Sequence, residues 1–218
     1  MNFKEVGMVV NFESVFKYPF KDKNWIIKIL IGGGLWFIAC VFSFFFVPIL
    51  AVLPVMAYLM KILAAAKNNQ EPVLPEWTDW AGLFKEGFMA FVVMFCYYFV
   101  VGIVLMILAS IPVVGCLVYP LAIIVACLLG PVVAIALCLY LERKKLAAAF
   151  DLKVIIEKIK ANLTDYLIIS VVMGALVLVA GITLFLAPFI WFYLAIVAFR
   201  LYGEIYGSSG PAGSAAGE

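Results

Sequence analysis

Histidine is absent from the 218 residues. With it goes the side chain that most often does acid–base work near neutral pH and most often ligates transition metals. Charge is scarce too: Asp, Glu, Lys and Arg make up 13% of the chain, about half the ~25% of a soluble domain. Fifteen basic and 13 acidic residues leave a net charge of +2, which gives no basic footprint for a nucleic acid. Cys40, Cys96, Cys116, Cys127 and Cys138 fall in apolar runs and form no C-x-x-C pair. Their odd number and apolar setting argue against a disulfide framework or a zinc site; they read as small hydrophobes. There is no nucleophile–base constellation and no acidic pair within the apolar runs. No catalytic residue, metal ligand or cofactor is therefore assigned. A cleavable signal peptide is also not expected, because the first residues are of mixed charge and aromatic rather than a short basic stretch.

What is present is apolar surface. Hydrophobic residues are 67% of the chain, against ~45–50% in a soluble domain. A water-soluble fold of this size cannot bury that much. In lipid, only helices and closed barrels satisfy their backbone groups internally, and a barrel needs ~10-residue segments of alternating polarity. The unbroken runs 30–57 and 88–140 show no such alternation. The fold class expected is an all-α membrane protein.

A span takes ~20 apolar residues. Six are read, at 24–45, 48–66, 86–108, 119–141, 164–186 and 188–206. The short connections between the first and second, third and fourth, and fifth and sixth carry no Lys, Arg, Asp or Glu. Ionisable residues lie in the N-terminal segment, in loops 67–85 and 142–165, in the tail, or within about two turns of those ends. The positive-inside rule makes that face cytoplasmic, with both termini on it, and Arg143, Lys144 and Lys145 are its firmest markers. Lys28, Lys61 and Arg200 sit slightly inside their spans, from where their stems are expected to snorkel to the headgroups. Arg200 also has Glu204 one turn on.

Three copies of one unit are read, at about 12–66, 77–149 and 150–206, in a single membrane domain 1–206 followed by a disordered tail 207–218. Each unit is an amphipathic helix followed by a hairpin of two spans. The third preface helix carries Leu152, Ile155, Ile156, Ile159 and Leu163 on one face. The second carries Trp77, Trp80, Phe84, Phe88 and Phe91; the first, Phe12, Val15, Phe16 and Phe20, is interrupted by Pro19. Helices of this kind lie in the membrane interface. KILAAA at 61–66 answers KKLAAA at 144–149, and Pro48 precedes Lys61 by the same 13 residues as Pro131 precedes Lys144. The middle unit carries extra residues around IPVVGCLVYP, which either lengthen the fourth span or form a re-entrant piece.

Three segments stand out. Gly32-Gly33-Gly34 permits close helix approach in the first span. It is not a phosphate loop, since no Lys-Ser or Lys-Thr follows. In LPEWTDW, 74–80, Thr78 or Asp79 can cap the next helix, while Trp77 and Trp80 suit headgroup level. In KYPFKDKNW, 17–25, Lys17, Lys21 and Lys23, with Lys28 beyond, attract anionic lipid, Asp22 offsets them in part, and Trp25 marks the start of the span.

YPFKDKNW before a Gly-rich span, followed by LPEWTDWAGLFKEGF and apolar hairpins, resembles the prokaryotic membrane family known as Domain of Unknown Function 4013. The resemblance implies a multi-span protein of a bacterial or archaeal cytoplasmic membrane and brings no activity, substrate or site residue with it. The expectation is a non-catalytic scaffold or accessory subunit with membrane lipids and other membrane subunits, or copies of itself, as partners. The alternative is a passive transporter or scramblase of a lipid or apolar solute.

Overall fold

Long apolar runs become long helices, because a helix satisfies its backbone groups within its own segment in lipid. The computed structural model describes residues 12–42, 47–70, 73–111 and 115–209 and holds no strand among them. A short helix α1 (Phe12–Phe16) and a 3-10 turn (Pro19–Lys21) precede α2 (Trp25–Val41). Then come α3 (Val47–Lys67), α4 (Trp80–Ala109), α5 (Gly115–Arg143), a second 3-10 turn (Leu146–Phe150), α6 (Leu152–Ala161), α7 (Leu163–Gly181) and α8 (Ala187–Ser208).

Among the described residues, five helices are long and apolar enough to cross a membrane: α3, α4, α5, α7 and α8. The shorter apolar α2 has 17 residues, a length of about 25 Å against ~30 Å of hydrocarbon. The expected continuation of that span, from Ser43, falls outside the described residues. At the other extreme, the 30 residues of α4 give roughly 45 Å, so α4 has to tilt or project.

The structure changes two sequence expectations and decides one alternative that the sequence left open. First, the second preface helix has no separate existence: Trp80, Phe84, Phe88 and Phe91 lie on the first turns of α4, and Trp77 lies before it. Nothing between Trp80 and Ala109 stops a helix, since the segment contains no proline. Second, the open alternative for the middle unit falls to a longer helix, because α5 runs unbroken from Gly115 through Pro131 to Arg143. Third, the tail does not begin at residue 207. Gly207 packs against Lys67, where an added Cβ would lie 2.5 Å from the carbonyl oxygen. Lys158 Nζ and Asn162 Nδ2 donate to Ser209. The rest of the tail, from residue 210, lies outside the described residues.

α3 is the central strut. Its residues Val55 to Met60 are nearly all buried, and α2, α4 and α8 all pack on it. Glycines set two of these contacts. Gly87 of α4 meets the Leu53 backbone, and Gly203 of α8 meets Ala66 and the Leu63 carbonyl. Close helix approach of this kind is how bundles gain packing energy in lipid, where no hydrophobic drive separates helix from solvent. The expected role of the glycine run holds for two of its members: Gly32 faces the Phe192 ring and Gly33 faces Phe189, whereas Gly34 has open space.

The C-terminal ends of α3, α5 and α8 meet at Glu142. Its Oε1 accepts from Lys67 Nζ at 3.3 Å, and its Oε2 accepts from the Tyr206 hydroxyl at 3.0 Å. α6 sits beside them with Lys158 4.8 Å from the centroid of the Tyr206 ring. Only Ile155 and Lys158 of α6 are buried, while Leu152 and Ile156 are exposed. The helix therefore keeps an apolar stripe uncovered by its own chain.

The start of α4 shows which residue caps it. Asp79 Oδ1 accepts from the Gly82 N–H at 2.9 Å, so Asp79 and not Thr78 is the cap. Asp79→Ala is expected to cost about 1 kcal/mol, the usual loss of a cap. It should show as a small fall in the thermal midpoint of detergent-solubilised protein, with Thr78→Ala unchanged.

Candidate functional site

Lys28 lies one turn into α2, where its charge has no place in hydrocarbon. The sequence predicts that its stem runs outward. The structure turns it inward, leaving 3% of the residue exposed. Its Nζ donates to Asp22 Oδ2 at 2.8 Å, to the Leu74 carbonyl at 3.0 Å and to Glu76 Oε1. An ammonium has three N–H donors, and these three acceptors use them all. The site's natural guest, a cation, is thus already supplied by the chain, with the two carboxylates as its ion-pair partners.

Local structure places each acceptor. Pro19 sits at the start of the 3-10 turn and directs the chain back, and the Asn24 N–H then donates to Asp22 Oδ1 at 2.7 Å, fixing the carboxylate before the helix begins. On the other side, Pro75 stiffens the loop 73–79, which holds neither helix nor strand. Burial alone would raise the Asp22 carboxyl. The hydrogen bonds from Lys28 and the Asn24 N–H, with the Lys28 charge, outweigh burial and hold it below the usual carboxylate range.

Trp77 is the second departure from the sequence reading. Expected at the headgroups, it is 8% exposed. Its indole N–H donates to the Lys28 carbonyl at 3.3 Å, and its ring stacks on Tyr58 with centroids 4.3 Å apart and planes 10° from parallel. The loop residue is held by polar and aromatic contacts together, so the inward position is the one that satisfies both its N–H and its face. Trp80 stays 42% exposed, with its ring 5.9 Å from that of Trp77.

Tyr18 and Arg200 extend the same clamp. The Tyr18 hydroxyl donates to the Val73 carbonyl at 3.1 Å. Burial pushes that phenol up to about 12, with Arg200 pulling it down and Asp22 pushing it up, so the hydroxyl stays a donor across the physiological range. Arg200 meets Glu204 at 2.7 Å, as its one-turn spacing implies, and also reaches the Gln70 carbonyl at 3.3 Å. Its guanidinium carbon lies 5.3 Å from the centroid of the Tyr18 ring. It is 7% exposed, so most of its side chain is covered by the protein.

The remaining predicted residues are not gathered. Lys17 pairs with Glu13 at 2.6 Å and Arg143 with Asp151 at 3.0 Å, both in exposed or half-exposed positions where such pairs contribute little. Lys21, Lys23, Lys144 and Lys145 are exposed, and Lys61 and Trp25 are half-buried. Sequence reasoning assigned no site role to Tyr18, Asp22, Tyr58 or Glu76. The one available signal was the pairing of a lysine inside an apolar helix with isolated carboxylates in the two most distinctive segments.

These long apolar helices, with a buried ionic clamp joining two of their connections, define a multi-span helical membrane protein. The chain belongs to the family described as Protein of unknown function (DUF4013), whose model matches residues 40–189. The match takes in Leu74 to Trp80 and begins after the Tyr18–Trp25 side of the clamp. Neither a curated protein nor a solved structure matches the chain.

Proposed function

We propose that this is a six-span protein of a prokaryotic cytoplasmic membrane with both termini inside, acting as a non-catalytic scaffold or accessory subunit that also gathers anionic lipid. In this reading α2 is the sixth span. The amphipathic α6, with Leu152 and Ile156 outward, lies in the inner interface. The observation that carries the reading is the uncovered side of α4. Phe88, Phe95, Phe99, Ile103 and Met106 are all at least 38% exposed, and Gly102 has no atom within 4 Å of an added Cβ. A glycine notch among large apolar residues suits close packing of another helix. In mild detergent or lipid nanodiscs, native mass spectrometry should find a homo-oligomer or a partner complex, and Gly102→Trp should reduce it. A monomer at every concentration, with no co-purifying subunit, removes the scaffold reading.

One feature favours a second reading, passive passage of a lipid or apolar solute. A groove of about 390 Å³ lies between α2, α7 and α8, lined by Trp36, Met173, Val177, Trp191, Leu194 and Ala198. Proteoliposomes containing a labelled phospholipid separate the two: flux no faster than in empty vesicles rejects passage.

A further inference from the structure

A small cleft of about 70 Å³ opens between the N-terminal segment and α8, lined by Ser14, Val15, Tyr18, Lys21, Arg200 and Glu204. A guanidinium carries five N–H donors and no acceptor. Arg200 uses Nε on Glu204 and Nη2 on Gln70, but Nη1 is buried and has no hydrogen-bond partner among the described residues. A buried charged donor left without an acceptor is costly. Lys21, on the same cleft, is exposed and makes no ion pair among the described residues. Among the described lining residues, two cations stand against the carboxylate of Glu204, itself bound to Nε, an excess of one positive charge.

We propose that this cleft binds a phosphate group, supplied by an anionic phospholipid headgroup or by free phosphate. The missing partner of Arg200 is an acceptor, the excess charge selects an anion, and the guanidinium fork matches phosphate oxygens. The volume admits one compact group and no more. The proposal deepens the lipid-gathering part of the function above and is independent of the scaffold part, which rests on α4.

The test uses the full chain in mild detergent, with phosphatidylglycerol or phosphatidylcholine added and retention read by native mass spectrometry. Phosphatidylglycerol should be retained in preference. Lys21→Ala should weaken that retention about fivefold, the effect of one surface charge. Lys23→Ala, equally exposed but outside the cleft, should leave it nearly unchanged. Arg200→Gln should remove the preference altogether; should it fail to fold, Lys21→Ala and Lys23→Ala decide alone. Displacement of the lipid by inorganic phosphate identifies free phosphate as an occupant, and resistance to it identifies the headgroup. Equal retention of the two lipids, or equal losses for Lys21→Ala and Lys23→Ala, overturns the proposal.

Discussion

Lys28→Met is expected to destabilise the folded protein by about 3–5 kcal/mol, the usual consequence of removing one partner from a buried ion pair. The size follows from what is left behind. Asp22 keeps only 8% of its side chain exposed, and without Lys28 its charge has no counterion while the Leu74 carbonyl loses a donor. Glu76 is 63% exposed and can return to water, so its share is small. The double variant Lys28→Met with Asp22→Asn should recover part of the loss, because no charge is then stranded. Denaturant or detergent unfolding of the four proteins gives the coupling directly. A loss under about 0.5 kcal/mol for Lys28→Met, typical of a surface change, would show that the clamp is not a stabilising element. Acid should act on the same bond. The folded-state value of Asp22 lies below its unfolded value of about 3.9. Its contribution is therefore complete above that pH and is lost as pH falls through the lower folded-state value. The stability gap between wild type and Asp22→Asn should stay constant from pH 7 to 5 and narrow below about pH 4.

Gly87→Ala is expected to cost about 3 kcal/mol, the upper end of the range for overpacking. The added Cβ would lie 1.8 Å from the Leu53 carbonyl oxygen and 2.5 Å from its carbon. Both are backbone atoms of the central helix, so neither can rotate away, and α3 and α4 have to part. Gly34→Ala is the control. Helix α2 gains a better helix former, worth up to ~1 kcal/mol, and no atom lies within 4 Å of the added Cβ. Thermal unfolding in one detergent should place the two variants on opposite sides of wild type, or Gly34→Ala level with it. A Gly87→Ala protein as stable as Gly34→Ala would mean that the α3–α4 contact is not close.

Much of the architecture was legible because lipid makes local pattern decisive. Apolar runs became helices, and Arg200 with Glu204, one turn apart, could be paired from spacing alone. Gly32 and Gly33 announced a contact because they stand together, whereas Gly87, Gly203 and Gly207 are isolated and their partners lie on a different helix. The inward turn of Lys28 was not readable. A lysine near a span end looks the same whether it reaches for headgroups or for Glu76, which is 48 residues away in the chain. The fate of the 109–130 stretch was equally hidden, since a proline among apolar residues fits a kinked helix or a re-entrant turn, and only the neighbours of α5 decide between them.

The clamp also orders events at the ribosome. Lys28 leaves it before α3, while the Leu74 carbonyl and Glu76 that complete its bonding follow α3. Two of the three acceptors of that ammonium are therefore made only after α3, so the clamp closes around α3 only once residues 74–76 have been synthesised.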